Sequence, residues 1–110
     1  LIFARADADA NRRMALEARG AEVVALPTDA EGHLALLPLL SALGARGIHS
    51  LMVEGGAGVI ESFLRAGLAE RLIVTIAPRL VDGLRVSATG DALQSARFTP
   101  LGADVILWSA

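Results

Sequence analysis

The fold of this 110-residue chain is decided by residues 51–64, which read LMVEGGAGVIESFL. The first three residues form a short apolar run, a pattern typical of a strand buried within a sheet that helices flank. From position 57 onward the apolar residues instead recur every three or four positions, which is the period of an amphipathic helix. The stretch therefore predicts a central strand over residues 51–53, then a glycine turn, then a helix.

The glycine turn is the first candidate for a ligand site. Gly55, Gly56 and Gly58 allow a sharp turn and place no Cβ over the first N–H groups of the helix. Those groups are unpaired donors at the positive end of a helix dipole, so they suit an anion such as a diphosphate. The alternative is a tight connection in which glycine serves only close packing. The glycines alone do not decide between the two, because they do not form the full dinucleotide-binding fingerprint.

Outside this stretch the chain alternates strands and helices. The predicted strands cover residues 1–4, 22–26, 51–53, 71–77, 96–101 and 105–108. The predicted helices run from a cap at Asp7 or Asp9 to about residue 19, from 34 to 46, and from 57 to Gly67, and residues 80–93 are predicted as loop. This order predicts one α/β domain over residues 1–110, with a mostly parallel sheet flanked by helices and a C-terminal antiparallel hairpin.

Composition excludes several classes of function. The net charge of −2 comes from acidic and basic residues spread along the chain, so there is no basic stripe for nucleic acid and no polybasic membrane patch. Cysteine is absent and the two histidines are isolated, so we expect no metal site. No apolar run approaches the roughly 20 residues of a membrane helix and no signal peptide is recognised, so we expect a cytoplasmic protein.

Three segments carry a resemblance to a known family. Residues 53–57 (VEGGA), 63–68 (FLRAGL) and 72–80 (LIVTIAPRL) are similar, in sequence, order and spacing, to the reductase domain of the riboflavin biosynthesis deaminase/reductase proteins. Residues 4–21 and 34–48 resemble the family more loosely. The resemblance implies a dihydrofolate-reductase-like fold. The first four residues already read as the middle of a strand, so we expect the chain to be the C-terminal part of the full domain.

The resemblance also implies a function. In that family, NADPH reduces the ring-opened ribosyl group of 5-amino-6-(5-phosphoribosylamino)uracil, a phosphorylated pyrimidine, to the ribitylamino product. By this resemblance Gly55, Gly56, Ala57 and Gly58 would hold the diphosphate of NADPH, and Glu54 would place the substrate or the nicotinamide ribose. We expect a homodimer, and we expect these 110 residues alone to be inactive because part of the cofactor edge would be missing.

Two arginines are further candidates from the same resemblance. Arg5 follows the first strand, whose end would face the adenosine of NADPH, where a guanidinium suits the 2′-phosphate. Arg79 follows the A-P motif and would approach the phosphate of the substrate. Both arginines are otherwise solvated surface charges, and Glu54 is otherwise a helix-dipole partner or a loop cap. Residues 82–83 read Asp-Gly where family members commonly show two glycines, so closure of this loop over a ligand is in question.

Two other functions remain open. One is a stand-alone reductase of the same fold that acts on a different substrate. The other is a nucleotide-binding or dimerisation module without turnover, which gains support because the N-terminal substrate-binding region of the family has no counterpart here. The companion deaminase domain of the family needs a zinc site with cysteine ligands, so the lack of cysteine excludes deaminase activity for these residues.

Overall fold

The computed structural model describes residues 1–83, 93 and 95–109 of the chain. The chain divides into two compact units, Leu1–Leu51 and Met52–Ala110. The helices and strands are, in chain order, β1 (Ile2–Arg5), α1 (Ala10–Glu17), β2 (Val23–Leu26), α2 (Leu36–Gly44), α3 (Ala57–Arg65), β3 (Ile73–Ile76), β4 (Arg97–Leu101) and β5 (Asp104–Trp108). The predicted α/β class is confirmed. The assignment of residues 1–110 to one domain stays a prediction.

The first unit begins with a β-α-β segment. Strands β1 and β2 pair in parallel, and α1 between them packs against β2. Helix α1 starts where Asp9 accepts a hydrogen bond from the backbone N–H of Arg12 at 2.8 Å, so Asp9 is the N-cap and Asp7 is not. The chain leaves the helix at Gly20, whose φ of 85° is costly for residues with a Cβ. Local capping chemistry therefore sets both ends of α1.

An ion pair joins Arg46, just after helix α2, to Glu22, just before strand β2. Arg46 donates from Nη1 to the carbonyl of Ala42 at 2.7 Å, which satisfies an acceptor in the last turn. The same guanidinium donates to Glu22, just before β2, through Nη2 and through Nε at 3.2 Å. Hydrogen bonding to Arg46 lowers the pKa of the Glu22 carboxyl. This contact joins residues that are distant in sequence.

The second unit contains an antiparallel sheet in which β5 lies between β3 and β4. Strands β4 and β5 form the predicted C-terminal hairpin, with Leu101 opposite Asp104 across a two-residue loop. Gly102 opens that loop with φ of 61°, as expected for the first central residue of a type II′ turn. Pro100 lies on the outer strand β4 opposite Val105, a location where proline is tolerated because no inner ladder is broken.

The predicted central strand at residues 51–53 is wrong. This segment is neither strand nor helix, and Leu51 and Met52 are 47% and 74% exposed. An apolar run becomes a strand only when neighbouring strands complete its hydrogen bonds, and neither described sheet includes this run. The mostly parallel sheet is also only partly observed, because the described residues form one parallel pair and one antiparallel three-stranded sheet. Of the predicted loop, residues 80–83 are irregular and 84–92 lie outside the described residues.

Few side chains are deeply buried in the described part of the chain. The buried apolar residues are Val23, Leu26 and Leu43 in the first unit and Phe63 and Leu107 in the second. Phe98 on β4 and Trp108 on β5 both remain exposed. Strand pairing and local caps therefore carry a large share of the order in each unit. Among the described residues, no helix is long and apolar enough to cross a membrane.

The cap of α1 generates a stability prediction. Asp9→Ala removes the oxygen that accepts the hydrogen bond from the Arg12 backbone, so the free energy of unfolding of the intact protein should fall by about 1 kcal/mol. Urea unfolding followed by circular dichroism measures this change. Asp9→Ser keeps an acceptor at the same position and should retain most of the stability. Equal losses in both variants would show that the cap is not the cause.

Candidate functional site

The glycine turn forms the N-terminus of α3. Gly56 is the N-cap residue with φ −60° and ψ 166°, and no side chain among the described residues caps the helix. The carbonyl of Gly56 accepts hydrogen bonds from Val59 at 3.0 Å and Ile60 at 3.2 Å. The N–H groups of Ala57 and Gly58 donate to no described residue. These two donors at the positive end of the helix are therefore available to an anion.

The three glycines of the turn differ in whether the surrounding atoms leave room for a Cβ. A Cβ at Gly55 would lie 2.9 Å from the Cβ of Val59, so close packing explains glycine at this position. A Cβ at Gly56 or Gly58 would meet nothing within 4 Å, and neither residue has a positive φ. Within the described residues, neither contact nor conformation requires glycine at positions 56 and 58. Close packing therefore accounts for glycine at position 55 whether or not a ligand binds there, whereas positions 56 and 58 have no packing explanation among the described residues.

Glu54 lies two residues before the cap. It is exposed, and it makes no hydrogen bond or ion pair with another described residue. It does not cap α3 through a side-chain hydrogen bond, and its place just before the helix leaves the helix-dipole alternative open. Further along α3, Arg65 donates to Glu61 at 2.7 Å, and Ser62 donates to the carbonyl of Gly58 at 2.8 Å. Glu54 is thus an exposed carboxylate beside the turn without a partner among the described residues, and it is able to accept hydrogen bonds from a polar ligand.

Arg5 ends β1 and already has a partner. Its Nε donates to Asp7 Oδ1 at 2.8 Å and its Nη2 donates to Asp7 Oδ2 at 2.6 Å, with both side chains more than half exposed. This bidentate pair raises the pKa of Arg5 and lowers the pKa of Asp7, chiefly through the hydrogen bonds. The sequence analysis missed Asp7 as a partner. The sequence offered only an acidic residue two positions after Arg5, and this proximity does not by itself predict a bidentate pair.

Arg79 follows β3 on a three-residue turn. Its backbone N–H donates to the carbonyl of Ala77 at 2.8 Å, so the chain folds back around Pro78 as soon as the strand ends. The guanidinium is exposed and makes no hydrogen bond or ion pair with a described residue. Arg79 is therefore a cation of the second unit without a described partner, and no hydrogen bond or ion pair joins it to Glu54.

The predicted site residues are divided between the two units. Glu54, the glycine turn and Arg79 belong to the second unit, whereas Arg5 belongs to the first. The glycine turn is one contiguous backbone segment at the start of α3. Among the described residues, the side chain of Arg5 pairs with Asp7 and with no other predicted site residue. No group of His, Asp or Glu within the described ranges could hold a metal ion. An open depression in the first unit contains none of the predicted site residues and is lined by Leu40, Leu43, Ile48, His49, Ser50 and Leu51.

Comparison with known proteins gives consistent matches. Residues 1–107 match the family described as the RibD C-terminal domain. Riboflavin biosynthesis protein RibD of Bacillus amyloliquefaciens is 36% identical over 101 residues, which cover 90% of this chain and 26% of that protein. Riboflavin biosynthesis protein RibD of Escherichia coli (strain K12) is 45% identical over 51 residues, which cover 46% of this chain and 14% of that protein. The chain thus spans about a quarter of the first relative's length.

The different surroundings of the glycines predict different effects of the same substitution on stability. Gly55→Ala places a methyl group against Val59 and should destabilise the intact protein by about 1–3 kcal/mol, the usual cost of overpacking. Gly58→Ala adds a methyl group in open space inside a helix, where alanine is favoured by up to about 1 kcal/mol. Denaturant unfolding of both variants measures the contrast. A destabilised Gly58→Ala would contradict the open surface described for this turn.

Proposed function

This chain belongs to the RibD C-terminal domain family, and we propose that it forms part of an NADPH-dependent pyrimidine reductase of riboflavin biosynthesis. The proposed substrate is 5-amino-6-(5-phosphoribosylamino)uracil, and the proposed product is its ribitylamino counterpart. The dihydrofolate-reductase-like fold of the family agrees with the α/β class of the structure. Cytoplasmic location and assembly as a homodimer belong to the same proposal.

One observation carries the proposal beyond family membership: the start of α3 fits a diphosphate. Ala57 and Gly58 offer backbone N–H donors that no described residue uses, and Gly56 and Gly58 leave the space above them free of side-chain atoms. Backbone donors in an open turn at a helix N-terminus bind phosphate oxygens through hydrogen bonds and the helix dipole. The residues present therefore fit the diphosphate of a dinucleotide.

The remaining candidates act on the other parts of the ligands. NADPH, when bound, supplies the hydride, and the protein contributes binding and orientation. Glu54 accepts hydrogen bonds from hydroxyl groups of the substrate or of the nicotinamide ribose, because its carboxylate is exposed beside the turn and free of other described partners. Arg79 attracts the phosphate of the substrate with a guanidinium that is likewise free. Arg5 attracts the 2′-phosphate, in competition with Asp7.

A nucleotide-binding module without turnover is the second candidate. It is favoured by the isolation of Glu54, since no described residue hydrogen-bonds to this carboxylate to orient it for a reaction. A stand-alone reductase that acts on another substrate would share the same diphosphate turn. Activity is best tested in the intact protein, because this chain spans about a quarter of its first relative, and inactivity of residues 1–110 alone is part of the proposal.

Nucleotide binding at the turn is tested by adding a methyl group where the fold has room for it. Gly56→Ala and Gly58→Ala should each weaken NADPH binding by at least about 1 kcal/mol, the scale of one lost hydrogen bond. Isothermal titration calorimetry on the intact protein measures this loss. Gly44→Ala is the matched control, because Gly44 lies in helix α2 with equally open surroundings. Unchanged affinity in both turn variants would remove the diphosphate from this site.

The role of Glu54 is tested by removing its charge while keeping its size. Glu54→Gln should lower kcat with the pyrimidine substrate more than it weakens NADPH binding, because the carboxylate is proposed to serve the substrate side. Steady-state kinetics and calorimetry on the same preparation separate the two effects. Glu70→Gln removes the same charge from another exposed glutamate of the second unit and should change neither. Unaltered kinetics in Glu54→Gln would return Glu54 to a structural role, whereas NADPH binding without any turnover in the unmodified protein would favour the non-catalytic module.

A further inference from the structure

We propose that Asp7 is a specificity-determining residue that limits how strongly Arg5 selects a 2′-phosphorylated dinucleotide over its 2′-hydroxyl counterpart. The inference rests on the proposed function, because it assigns Arg5 to the adenosine end of the cofactor. It goes further by giving a role to a carboxylate that the sequence indicates only as a possible helix cap. The N–H donors of Arg5 that Asp7 already occupies are the basis of this role.

A guanidinium recognises a phosphate through pairs of N–H donors arranged as a fork. The Nε–Nη2 fork of Arg5 is fully engaged by the two carboxylate oxygens of Asp7, at 2.8 and 2.6 Å. A phosphate must therefore either displace Asp7 or bind through Nη1 and the remaining proton of Nη2. In the second case it binds beside a carboxylate of like charge. Either route weakens phosphate binding compared with an unpaired arginine at the same place.

The backbone around the pair is held on both sides. The Ala8 N–H donates to the carbonyl of Arg5 at 3.0 Å, which closes a turn over residues 5–8. The Ala6 N–H donates to the carbonyl of Leu26 on β2 at 3.1 Å, and Asp9 caps the helix that follows. Asp7 is thus presented to Arg5 by a fixed turn. Both side chains stay accessible, with 52% of Arg5 and 67% of Asp7 exposed.

The position of the pair distinguishes it from the ion pairs that lie within the described helices. Arg13–Glu17 and Arg65–Glu61 join residues four apart within helices, which is an ordinary surface pairing. Arg5–Asp7 instead follows the carboxyl end of a strand in a parallel pair, the edge at which α/β sheets bind ligands. At such an edge an acidic residue accepts a hydrogen bond from a ribose 2′-hydroxyl, whereas an arginine accommodates a 2′-phosphate. This loop holds both groups, paired with each other.

The test is the ratio of NADPH affinity to NADH affinity, measured by calorimetry on the intact protein at low salt. Asp7→Asn should raise this ratio by up to about fivefold, the scale on which an exposed ion pair competes for a shared partner. The increase should shrink at high salt because both groups are exposed. Arg5→Ala should lower the ratio, and adding Asp7→Asn to Arg5→Ala should produce no further change, because Asp7 acts through Arg5.

Glu17→Gln is the matched control, because it removes the same charge from an exposed arginine partner in the same unit. The ratio of NADPH affinity to NADH affinity in Glu17→Gln should equal that of the unmodified protein. Any of three results would overturn the inference while leaving the reductase proposal in place. The affinity ratio could be unchanged in Asp7→Asn, it could rise equally in Glu17→Gln, or its rise in Asp7→Asn could persist when Arg5 is replaced by alanine. If the unmodified protein binds neither dinucleotide, the proposed function fails, and the role of Asp7 fails with it.

Discussion

Backbone pairing between strands is the constraint on which the structure of both units depends. Only five apolar side chains among the described residues are buried, so hydrogen-bonded ladders must supply much of the order. In the first unit, β1 is held by β2 along its whole length. In the second, β5 has partners on both sides and contributes the buried Leu107. Where a ladder partner is absent, as at residues 51–53, the same apolar character does not produce a strand.

This constraint explains which parts of the fold could be predicted from sequence. Helix ends were predictable because the groups that set them are local: Asp9 caps α1, and Gly20 and Gly67 adopt positive φ where helices terminate. The hairpin was predictable because a short glycine loop joins two apolar runs. The central strand was not, because pairing is a property of distant segments that a short sequence pattern does not contain. The same limit applies to the contact between Arg46 and Glu22.

The candidate site shows the same division between local and non-local information. The sequence indicated a glycine turn before a helix, and the structure places it there. It could not distinguish Gly55 from its neighbours, because the distinction depends on where the side chain of Val59 lies once the helix has formed. Nor did it indicate that the guanidinium of Arg5 is already bound. An arginine whose Nε and Nη2 already donate to a carboxylate has fewer N–H donors left for a ligand. Which donors are occupied depends on the three-dimensional position of Asp7.

Pro100 has a consequence for how the second sheet meets other polypeptides. The backbone N–H of Ser109 donates to the carbonyl of Leu72 at 2.9 Å, on the β3 side of β5. Because backbone groups alternate in direction along a strand, Leu107 and Val105 also direct their N–H and C=O groups toward β3. Pro100, opposite Val105, therefore has its nitrogen on the outer margin of β4, where proline offers no N–H. An extended chain that approached this edge would therefore find no N–H donor at the fourth of the five residues of β4. Among the described residues, the outer edge of β4 is thus less able to add a strand from another molecule, although the side chains of β4 are exposed.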